Sequence, residues 1–242
     1  MTSTRSERQK TRLDILHAER DLLVVNKPAG LLTIPSAPGR ADHEDTLLGR
    51  VKEYAKHKRG RQAYAGMLHR LDRGTSGALA VALSPAAHRA GRLMFKSHEF
   101  DRTYLAIVDG VPEYDEGTID RPVASEYRDG RRDATWGTEL LEACTHYRVL
   151  DHYGSRAALV ELILETGRQH QIRIHMASIG HPVMGDRVYG PKHDSARPTD
   201  RPLLHAWRLG FPHPLLGHHI EVEARPPHDF RKAMKRLAGP MR

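Results

Sequence analysis

Residues 69–83 read HRLDRGTSGALAVAL and combine two signals that together indicate the fold. The second half continues into an apolar run over residues 77–84, whose length is typical of a buried strand. The first half is polar, and in it Asp72 lies between Arg70 and Arg73. We therefore predict a buried strand whose leading turn holds one carboxylate inside a cationic, glycine-containing segment.

Working outward, short apolar runs bounded by turn residues predict most of the other strands. These strands are predicted at 22–25, 102–110, twice within 144–167, 202–211 and 218–227. Helical spacing of apolar residues predicts helices at 46–59, 85–94, 168–180 and 229–237, with Thr46 and Ser84 as N-caps of the first two. Strands outnumber helices and do not alternate with them regularly, so we expect an α+β fold with a mixed or antiparallel sheet.

The charge balance indicates a polyanionic partner. The 242 residues include 38 Lys and Arg, most of them Arg, against 30 Asp and Glu, for a net charge of +8. Such a surplus is typical of proteins that bind nucleic acid or an anionic membrane surface. Cys144 is the only cysteine, which excludes an internal disulfide and makes a thiolate metal site unexpected. The 17 histidines show no ligand spacing, so we predict no metal.

The sequence also suggests a simple organisation. Its first residues lack the apolar centre of a signal peptide, and no apolar run approaches the ~18 residues of a membrane span, so we expect a soluble cytoplasmic protein without membrane contact. We predict a flexible basic tail over residues 1–20, with a short strand at its end, and one folded domain over 21–238. The stretch 111–140, rich in Gly, Pro and charge, is the best internal boundary.

Asp72 has a structural and a functional interpretation. In most Arg-Leu-Asp triplets the carboxylate caps a turn or pairs with a neighbouring arginine. Here the flanking cations would keep it ionised, and an ionised aspartate in a water-poor site can act as a nucleophile. His69, adjacent in the chain, points the other way along a strand and is expected to contact substrate or backbone rather than transfer a proton.

A second polar cluster lies in ETGRQHQIRIHM, residues 165–176. Arg168, His170, Gln171 and Arg173 crowd the beginning of a predicted helix, where an anion is favoured. A solvated basic face and a phosphate or carboxylate site fit this cluster about equally well. Lys27 and Tyr104 are further candidates, and each also has an ordinary structural alternative. Lys27 is a phosphate contact or an exposed turn lysine, and Tyr104 is a site residue or half-buried strand packing.

Five segments in order resemble the RluA family of RNA pseudouridine synthases. They are NKPAGLLTIPS, HRLDRGTSGALAVAL, RTYLAIVDG, ETGRQHQIRIHMASIGHPVMGDRVYG and LLHAWRLGFPHP. The resemblance extends from about Asp21 to about Phe230. Both specific motifs, His-Arg-Leu-Asp-x-x-Thr-Ser-Gly and Thr-Gly-Arg-x-His-Gln-Ile-Arg, are complete.

The resemblance implies a single α+β catalytic domain with a long, mixed, largely antiparallel sheet and a catalytic cleft. It implies isomerisation of uridine to pseudouridine in RNA without cofactor or metal. The family's catalytic aspartate falls on Asp72, which attacks C1′ or helps remove a proton from C2′. The active-site tyrosine falls on Tyr104, and the arginine that pairs with the aspartate falls on Arg173, with Arg168 as the alternative.

The resemblance further implies that RNA is the partner, either ribosomal or transfer RNA. We expect the RNA contacts to come from His69, Arg70, Arg73, Thr75, Arg168, His170, Gln171 and Lys27. Many relatives carry an N-terminal RNA-binding domain, for which about 20 residues are too few. We expect a monomer, because no coiled coil or long exposed apolar face is visible. An RNA-binding protein without catalysis and a base-excising glycosylase remain the alternatives.

Overall fold

The computed structural model describes residues 13–37, 44–126, 132, 139–190 and 199–239. The chain forms two compact units, each made of two segments. The first unit contains residues 1–100 and 208–224, and the second contains residues 101–207 and 225–242. The predicted boundary within 111–140 is therefore wrong, because the chain leaves the first unit where strand β5 begins at Asp101.

The described residues form twelve strands and four α-helices. The strands are β1 (Ile15–Ala18), β2 (Leu22–Lys27), β3 (Gly66–Met67), β4 (Ser76–Ala82), β5 (Asp101–Asp109), β6 (Glu116–Asp120), β7 (Val123–Ala124), β8 (Leu140–Leu141), β9 (Cys144–Tyr153), β10 (Ala157–Leu164), β11 (Leu204–Pro212) and β12 (His219–Glu223). The helices are α1 (Leu47–Arg59), α2 (Pro85–Lys96), α3 (Gln171–Ser178) and α4 (His228–Ala238). The predicted α+β class with a mixed sheet is confirmed.

The first unit is built on strands in the order β1-β2-β4-β11, with β12 on β11 and β3 on β4. Strand β4 is buried at every position, as its apolar run predicts. It pairs antiparallel with β2, so that Lys27 lies opposite Gly77. One core cluster joins these strands to α2 through Leu22, Leu68, Ala80, Ala87, Phe100, Leu209, Phe211 and Ile220, among others.

The second unit is built on strands in the order β11-β5-β10-β9-β6, with β7 and β8 as a separate pair. Strands β5, β10 and β9 pair antiparallel over long stretches. Helix α4 packs its apolar stripe on this sheet, as its spacing predicts, in a cluster that contains Leu105, Ile107, Leu159, Leu203, Phe230 and Ala233. None of the described helices is long and apolar enough to cross a membrane.

Both predicted N-caps are confirmed. The Thr46 Oγ1 accepts a hydrogen bond of 3.0 Å from the Gly49 N–H, and the Ser84 Oγ accepts one of 3.3 Å from the Ala87 N–H. Each satisfies a backbone donor that the first helical turn leaves without an intrahelical acceptor. Pro85 occupies the first position of α2, where its missing N–H costs nothing.

Two predicted boundaries need correction. Residues 1–12 of the predicted tail lie outside the described residues, but Ile15–Ala18 forms β1 and pairs with β2, so the folded part begins before residue 21. The helix predicted over 168–180 begins only at Gln171. His170 is its N-cap with a φ of +60°, a left-handed conformation that a helix interior cannot contain.

Candidate active site

The turn that carries Asp72 is held by the loop that follows β2. The Thr33 hydroxyl donates a 2.6 Å hydrogen bond to the Leu71 carbonyl and accepts a 3.3 Å bond from the Leu71 N–H. Thr33 is 3 % exposed, so this reciprocal pair lies in the interior. The residue just before Asp72 is thereby fixed at both of its backbone polar groups.

The residue just after Asp72 is fixed as well. The Arg73 carbonyl accepts a 2.7 Å hydrogen bond from the Gly30 N–H, and the Arg73 Nε returns a 3.0 Å bond to the Gly30 carbonyl. Gly30 has a φ of +86°, which a residue with a Cβ rarely adopts. Within the turn itself, the Thr75 N–H donates to the Asp72 carbonyl at 3.1 Å. These hydrogen bonds hold the backbone on both sides of Asp72, and the Asp72 residue itself is partly exposed.

Lys27 fastens the same two segments from within. Its side chain is fully buried, and Nζ donates to the carbonyls of Leu31 at 2.8 Å, Pro28 at 3.1 Å and Arg73 at 3.4 Å. Three carbonyl acceptors match the three donors of an ammonium group. The predictions of a phosphate contact or an exposed turn lysine are both wrong, because Lys27 closes the loop against the Asp72 turn.

His69 and Thr75 are also internal residues. His69 is 4 % exposed, its Nε2 accepts a 3.1 Å hydrogen bond from the Ala80 N–H, and its ring stacks on Phe95. Thr75 is 2 % exposed. The prediction that these two side chains contact RNA is wrong, because burial leaves them no surface for a ligand. Arg70 and Arg73, in contrast, are exposed.

In the second unit, Arg173 is held by a carboxylate that sequence reasoning missed. Arg173 Nε lies 2.5 Å from Asp186 Oδ2, and Nη2 lies 2.9 Å from Asp186 Oδ1. Only 7 % of the Arg173 side chain and none of the Asp186 side chain is exposed. The guanidinium also lies over the Tyr189 ring, 5.0 Å from its centroid. Asp186 engages two of the five N–H donors of Arg173 and sets the direction of the others.

The ionised state of Asp186 is favoured despite its burial. Burial by itself raises the pKa of this carboxyl, but hydrogen bonds and charge from Arg173 act in the opposite direction. The backbone N–H groups of Val188 and Tyr189 add two further hydrogen bonds. The net effect is a pKa below 3.8, the ordinary value, so the pair is ionic at neutral pH.

His170 adopts a strained backbone conformation at the start of α3. It is one of only two described non-glycine residues with a positive φ. Its Nδ1 lies 3.0 Å from the Tyr189 hydroxyl, and the two rings meet edge to face. Tyr189 thus contacts both His170 and Arg173. Strain of this kind persists only where neighbouring contacts enforce it, and it is concentrated at functional sites.

Gln171 has a structural role in place of the predicted RNA contact. It is 2 % exposed, and its amide donates to the Cys144 carbonyl and the Thr145 hydroxyl at 2.9 and 3.0 Å. Its Oε1 accepts from the Thr166 hydroxyl and the Arg168 N–H at 2.8 and 2.9 Å. All four hydrogen-bonding positions of the amide are therefore used inside the protein, which contradicts the prediction.

The two candidate arginines of the second motif differ in exposure. Arg168 is exposed, and its Nε donates a 2.9 Å hydrogen bond to the Glu142 carbonyl. Arg173 is buried and paired. Buried His175, two residues on, bonds to Thr145 Oγ1 at 2.9 Å and to the Arg121 carbonyl at 2.8 Å. Burial lowers the pKa of His175, so it serves as a neutral link between α3 and β9.

Tyr104 lies within β5, opposite Leu162 of β10, and is 8 % exposed. Two residues earlier, Arg102 is buried and donates to the carbonyls of Leu164 and Glu165 at 3.3 and 3.2 Å. Burial lowers the pKa of Arg102 below the usual arginine value. Arg102 therefore anchors the end of β10 next to the second motif, and Tyr104 shares its strand face.

A comparison with known proteins decides the family. A family model described as RNA pseudouridylate synthase matches residues 21–178. The chain belongs to this family. Ribosomal large subunit pseudouridine synthase D of Zymomonas mobilis is 37 % identical to this synthase over 96 % of the chain and 75 % of that protein. Dual-specificity RNA pseudouridine synthase RluA of Escherichia coli is 36 % identical over 92 % of the chain and 96 % of that protein.

The solved structures agree with the sequences. The structure of human RNA Pseudouridylate Synthase Domain Containing 4 matches this synthase with a TM-score of 0.76. It is 25 % identical, and the match covers 93 % of this chain and 92 % of that one. Human RNA Pseudouridylate Synthase Domain Containing 1 gives a TM-score of 0.74 at 29 % identity. The resemblance read from the five segments is confirmed, and the protein is an RNA pseudouridine synthase.

Proposed function

We propose that this synthase converts specific uridines of structured ribosomal or transfer RNA into pseudouridine, with Asp72 as the reacting carboxylate. The observation that carries the assignment is the bracing of the Asp72 turn. Thr33 holds the residue before it, and Gly30 with Lys27 holds the residue after it. A carboxylate that must approach one atom of a base-flipped nucleotide needs a backbone that does not move, since catalysis depends on orientation.

The reaction rearranges one nucleotide without a second substrate. The bond between N1 of uracil and C1′ breaks, the base turns over, and C5 forms the new bond to C1′. The proton on C5 leaves and N1 gains a proton, so atoms balance. Asp72 serves either by attacking C1′ or by removing the C2′ proton.

Arg173 and Tyr104 are proposed as the other two catalytic residues. Arg173 fits better than Arg168, because a buried arginine with a fixed fork can orient a reacting group while an exposed one is adapted to phosphates. Tyr104 is proposed to stack on the flipped base and to take part in proton transfer. Their support is the family resemblance and, for Arg173, the guanidinium orientation that Asp186 holds in place.

Exposed arginines are proposed to bind the RNA backbone. Arg70 and Arg73 flank Asp72, and Arg168 is the first arginine of the second motif. His170, partly exposed and strained, is retained as an RNA contact. Phosphate contacts of this kind give most of the affinity and make it depend on salt. We further propose that the synthase acts as a monomer in the cytoplasm. Sedimentation of the purified protein tests the monomer, and cell fractionation tests the location.

The proposed function is tested with RNA labelled with tritium at C5 of uridine. Purified synthase should release the label as water, and the RNA should then contain pseudouridine at defined positions. Asp72→Asn should abolish release while RNA binding remains within about threefold of the parent, since phosphates dominate affinity. Asp115→Asn, which changes an exposed aspartate paired with His152, is the matched control and should retain full activity.

The same experiment separates the alternatives. Release of free uracil would identify a glycosylase, and binding without product from every ribosomal and transfer RNA tested would identify a binding protein. Turnover by folded Asp72→Asn would contradict the assigned role of Asp72. Activity on only one of the two RNA classes narrows the substrate and leaves the chemistry intact.

A further inference from the structure

Three side chains with metal-binding atoms meet on one surface of the second unit. The Cys144 Sγ lies 3.9 Å from the His146 Nε2, and the same nitrogen lies 2.5 Å from the Glu165 Oε1. All three candidate ligand atoms lie within 4.8 Å of one another. Cys144 is partly exposed, and 40 % of the His146 side chain and 60 % of the Glu165 side chain are exposed, so an ion in solution can reach them.

The sheet brings these residues together. Cys144 and His146 are two apart on β9 and therefore lie on one face. Glu165 follows β10 directly, and its N–H donates to the Cys144 carbonyl at 3.3 Å. Strand β6 pairs with β9 so that Asp120 lies opposite Cys144 and Thr118 opposite His146. The histidine spacing in the sequence does not reveal this cluster. Its third residue, Glu165, is distant from Cys144 in the sequence and is brought beside it only by strand pairing.

The two ring nitrogens of His146 distinguish a metal site from a catalytic relay. In a nucleophile–histidine–acid relay, the acid contacts one ring nitrogen and the nucleophile the other. Here Cys144 and Glu165 both face Nε2, while Nδ1 lies 2.8 Å from Thr118 Oγ1. A second hydrogen bond on the far nitrogen is the usual arrangement around a metal-bound histidine, because it fixes the tautomer and the ring.

We propose that Cys144, His146 and Glu165 bind a zinc ion. Thiolate, imidazole and carboxylate together suit zinc, which accepts all three in tetrahedral geometry. Bond lengths of about 2.3 Å to sulfur and 2.05 Å to nitrogen place these two ligands about 3.5 Å apart. The observed 3.9 Å needs only a few tenths of an ångström of closure. Glu165 must retreat by about 1 Å, which its exposed side chain permits.

The metal replaces a proton. Zinc binds the Cys144 sulfur as the thiolate. Binding therefore converts the thiol to a thiolate, forms the sulfur–zinc bond and releases the thiol proton to solvent. The carboxylate of Asp120, which lies opposite Cys144 on the paired strand β6, adds to the negative potential that attracts a dication.

The site ties β9 to the loop of the second motif. The Thr166 hydroxyl accepts a 3.0 Å hydrogen bond from the Cys144 N–H, and Gln171 at the start of α3 binds the Cys144 carbonyl. An ion held by Cys144 and Glu165 would fix the segment from which this loop departs. The proposal stands independently of the proposed function, since none of its ligands is assigned to the reaction.

Cobalt titration of the full-length, metal-free protein tests the proposal. Cobalt occupies zinc sites and gives a near-ultraviolet charge-transfer band only when a thiolate is bound. Cys144 is the only cysteine, so that band reports this residue alone. We expect one equivalent of cobalt to produce the band, zinc to displace it, and zinc to protect the thiol from alkylation.

Variants then assign the ligands. Cys144→Ser should remove the band. Glu165→Gln and His146→Ala should each weaken cobalt binding by about 10–100-fold or more, since even the loss of a residue that only supports a metal ligand has an effect of that size. Thr118→Val should itself weaken binding in that range. His152→Ala, on the same strand and paired with Asp115, is the control and should bind cobalt like the parent.

Several results would overturn the proposal. These are absence of the thiolate band at saturating cobalt, equal affinity in the parent and Glu165→Gln, and loss of binding in His152→Ala. Thermal unfolding of each metal-free variant shows whether it is folded. If folded Thr118→Val bound cobalt with the affinity of the parent, the hydrogen bond between Thr118 and the Nδ1 of His146 would not support a metal site, and the assigned geometry would be wrong.

Discussion

The Asp186 carboxylate accepts two hydrogen bonds from Arg173 inside the second unit, from Nε at 2.5 Å and from Nη2 at 2.9 Å. The same carboxylate accepts the N–H groups of Val188 and Tyr189 at 2.9 and 3.2 Å. The arginine is therefore attached to a turn that follows it by 13 residues, and its direction does not depend on its own helix alone. Planar forks of this kind give orientation as well as energy.

Asp186→Asn should leave the buried Arg173 charge without its counterion. Removing one partner of a buried pair typically costs about 3–5 kcal/mol of unfolding free energy, and we expect a loss in that range by urea denaturation. Asp200→Asn is the matched control, because Asp200 pairs with Arg187 at the surface, where such pairs contribute about 0–1 kcal/mol. Equal losses in both variants would show that the Arg173 pair is not a buried anchor.

The same carboxyl predicts a dependence of stability on acid. Because the folded-state pKa of Asp186 is lowered below 3.8, the pair stabilises the fold fully above that value. The contribution is lost as the pH falls through the folded-state pKa. Urea denaturation of the parent and of Asp186→Asn between pH 7 and pH 3 should give a constant difference at neutral pH that shrinks below the ordinary pKa. A difference that grows with acid would have the wrong sign.

The two arginines of the second motif should separate by function. Arg173→Lys keeps the charge but cannot span both oxygens of Asp186, so the turnover rate should fall much more than RNA affinity does. Arg168→Ala should instead weaken RNA binding and reduce the slope of log affinity against log salt by about 0.7–0.9. Titration of both variants against salt, beside single-turnover rates, checks this. The opposite pattern would exchange their roles.

Lys27 should act on the Asp72 turn without touching RNA. Lys27→Met removes the ammonium and leaves buried carbonyls, including that of Leu31, without their donor, at about 1–3 kcal/mol of stability. We expect the single-turnover rate to fall while RNA affinity and its salt slope stay parental. Lys52→Met, on the exposed side of α1, should change neither quantity. A reduced salt slope in Lys27→Met would indicate a phosphate contact after all.

Tyr104 is tested by separating its ring from its hydroxyl. Tyr104→Phe keeps the ring, so RNA binding should hold while turnover falls by about 10²–10⁴-fold, the range of a lost acid or base. Tyr104→Leu should in addition lose stacking worth roughly 1–3 kcal/mol of RNA affinity. Affinity measurements and single-turnover rates distinguish the two. Substantial activity in Tyr104→Phe would limit the residue to stacking.

Local sequence determined the secondary structure well, because the deciding interactions are short in range. Thr46 and Ser84 cap the helices that begin directly after them, and the apolar run of β4 is buried throughout. Local rules failed at His170, where a left-handed residue delays α3 by three positions. Contacts to Tyr189, which is distant in sequence, hold that conformation in place.

The sequence by itself determined the family, the α+β class and the identity of the motif residues, because these depend on residue type and order. Only the tertiary structure decided which motif residues face inward. Lys27, His69 and Gln171 look like ligands for RNA in the sequence, yet each satisfies backbone groups in the interior. A polar side chain can serve either purpose, and what surrounds it depends on strands and loops distant in the chain. For the same reason the sequence did not reveal the roles of Asp186 and Thr33, because their partners Arg173 and Leu71 lie 13 and 38 residues away.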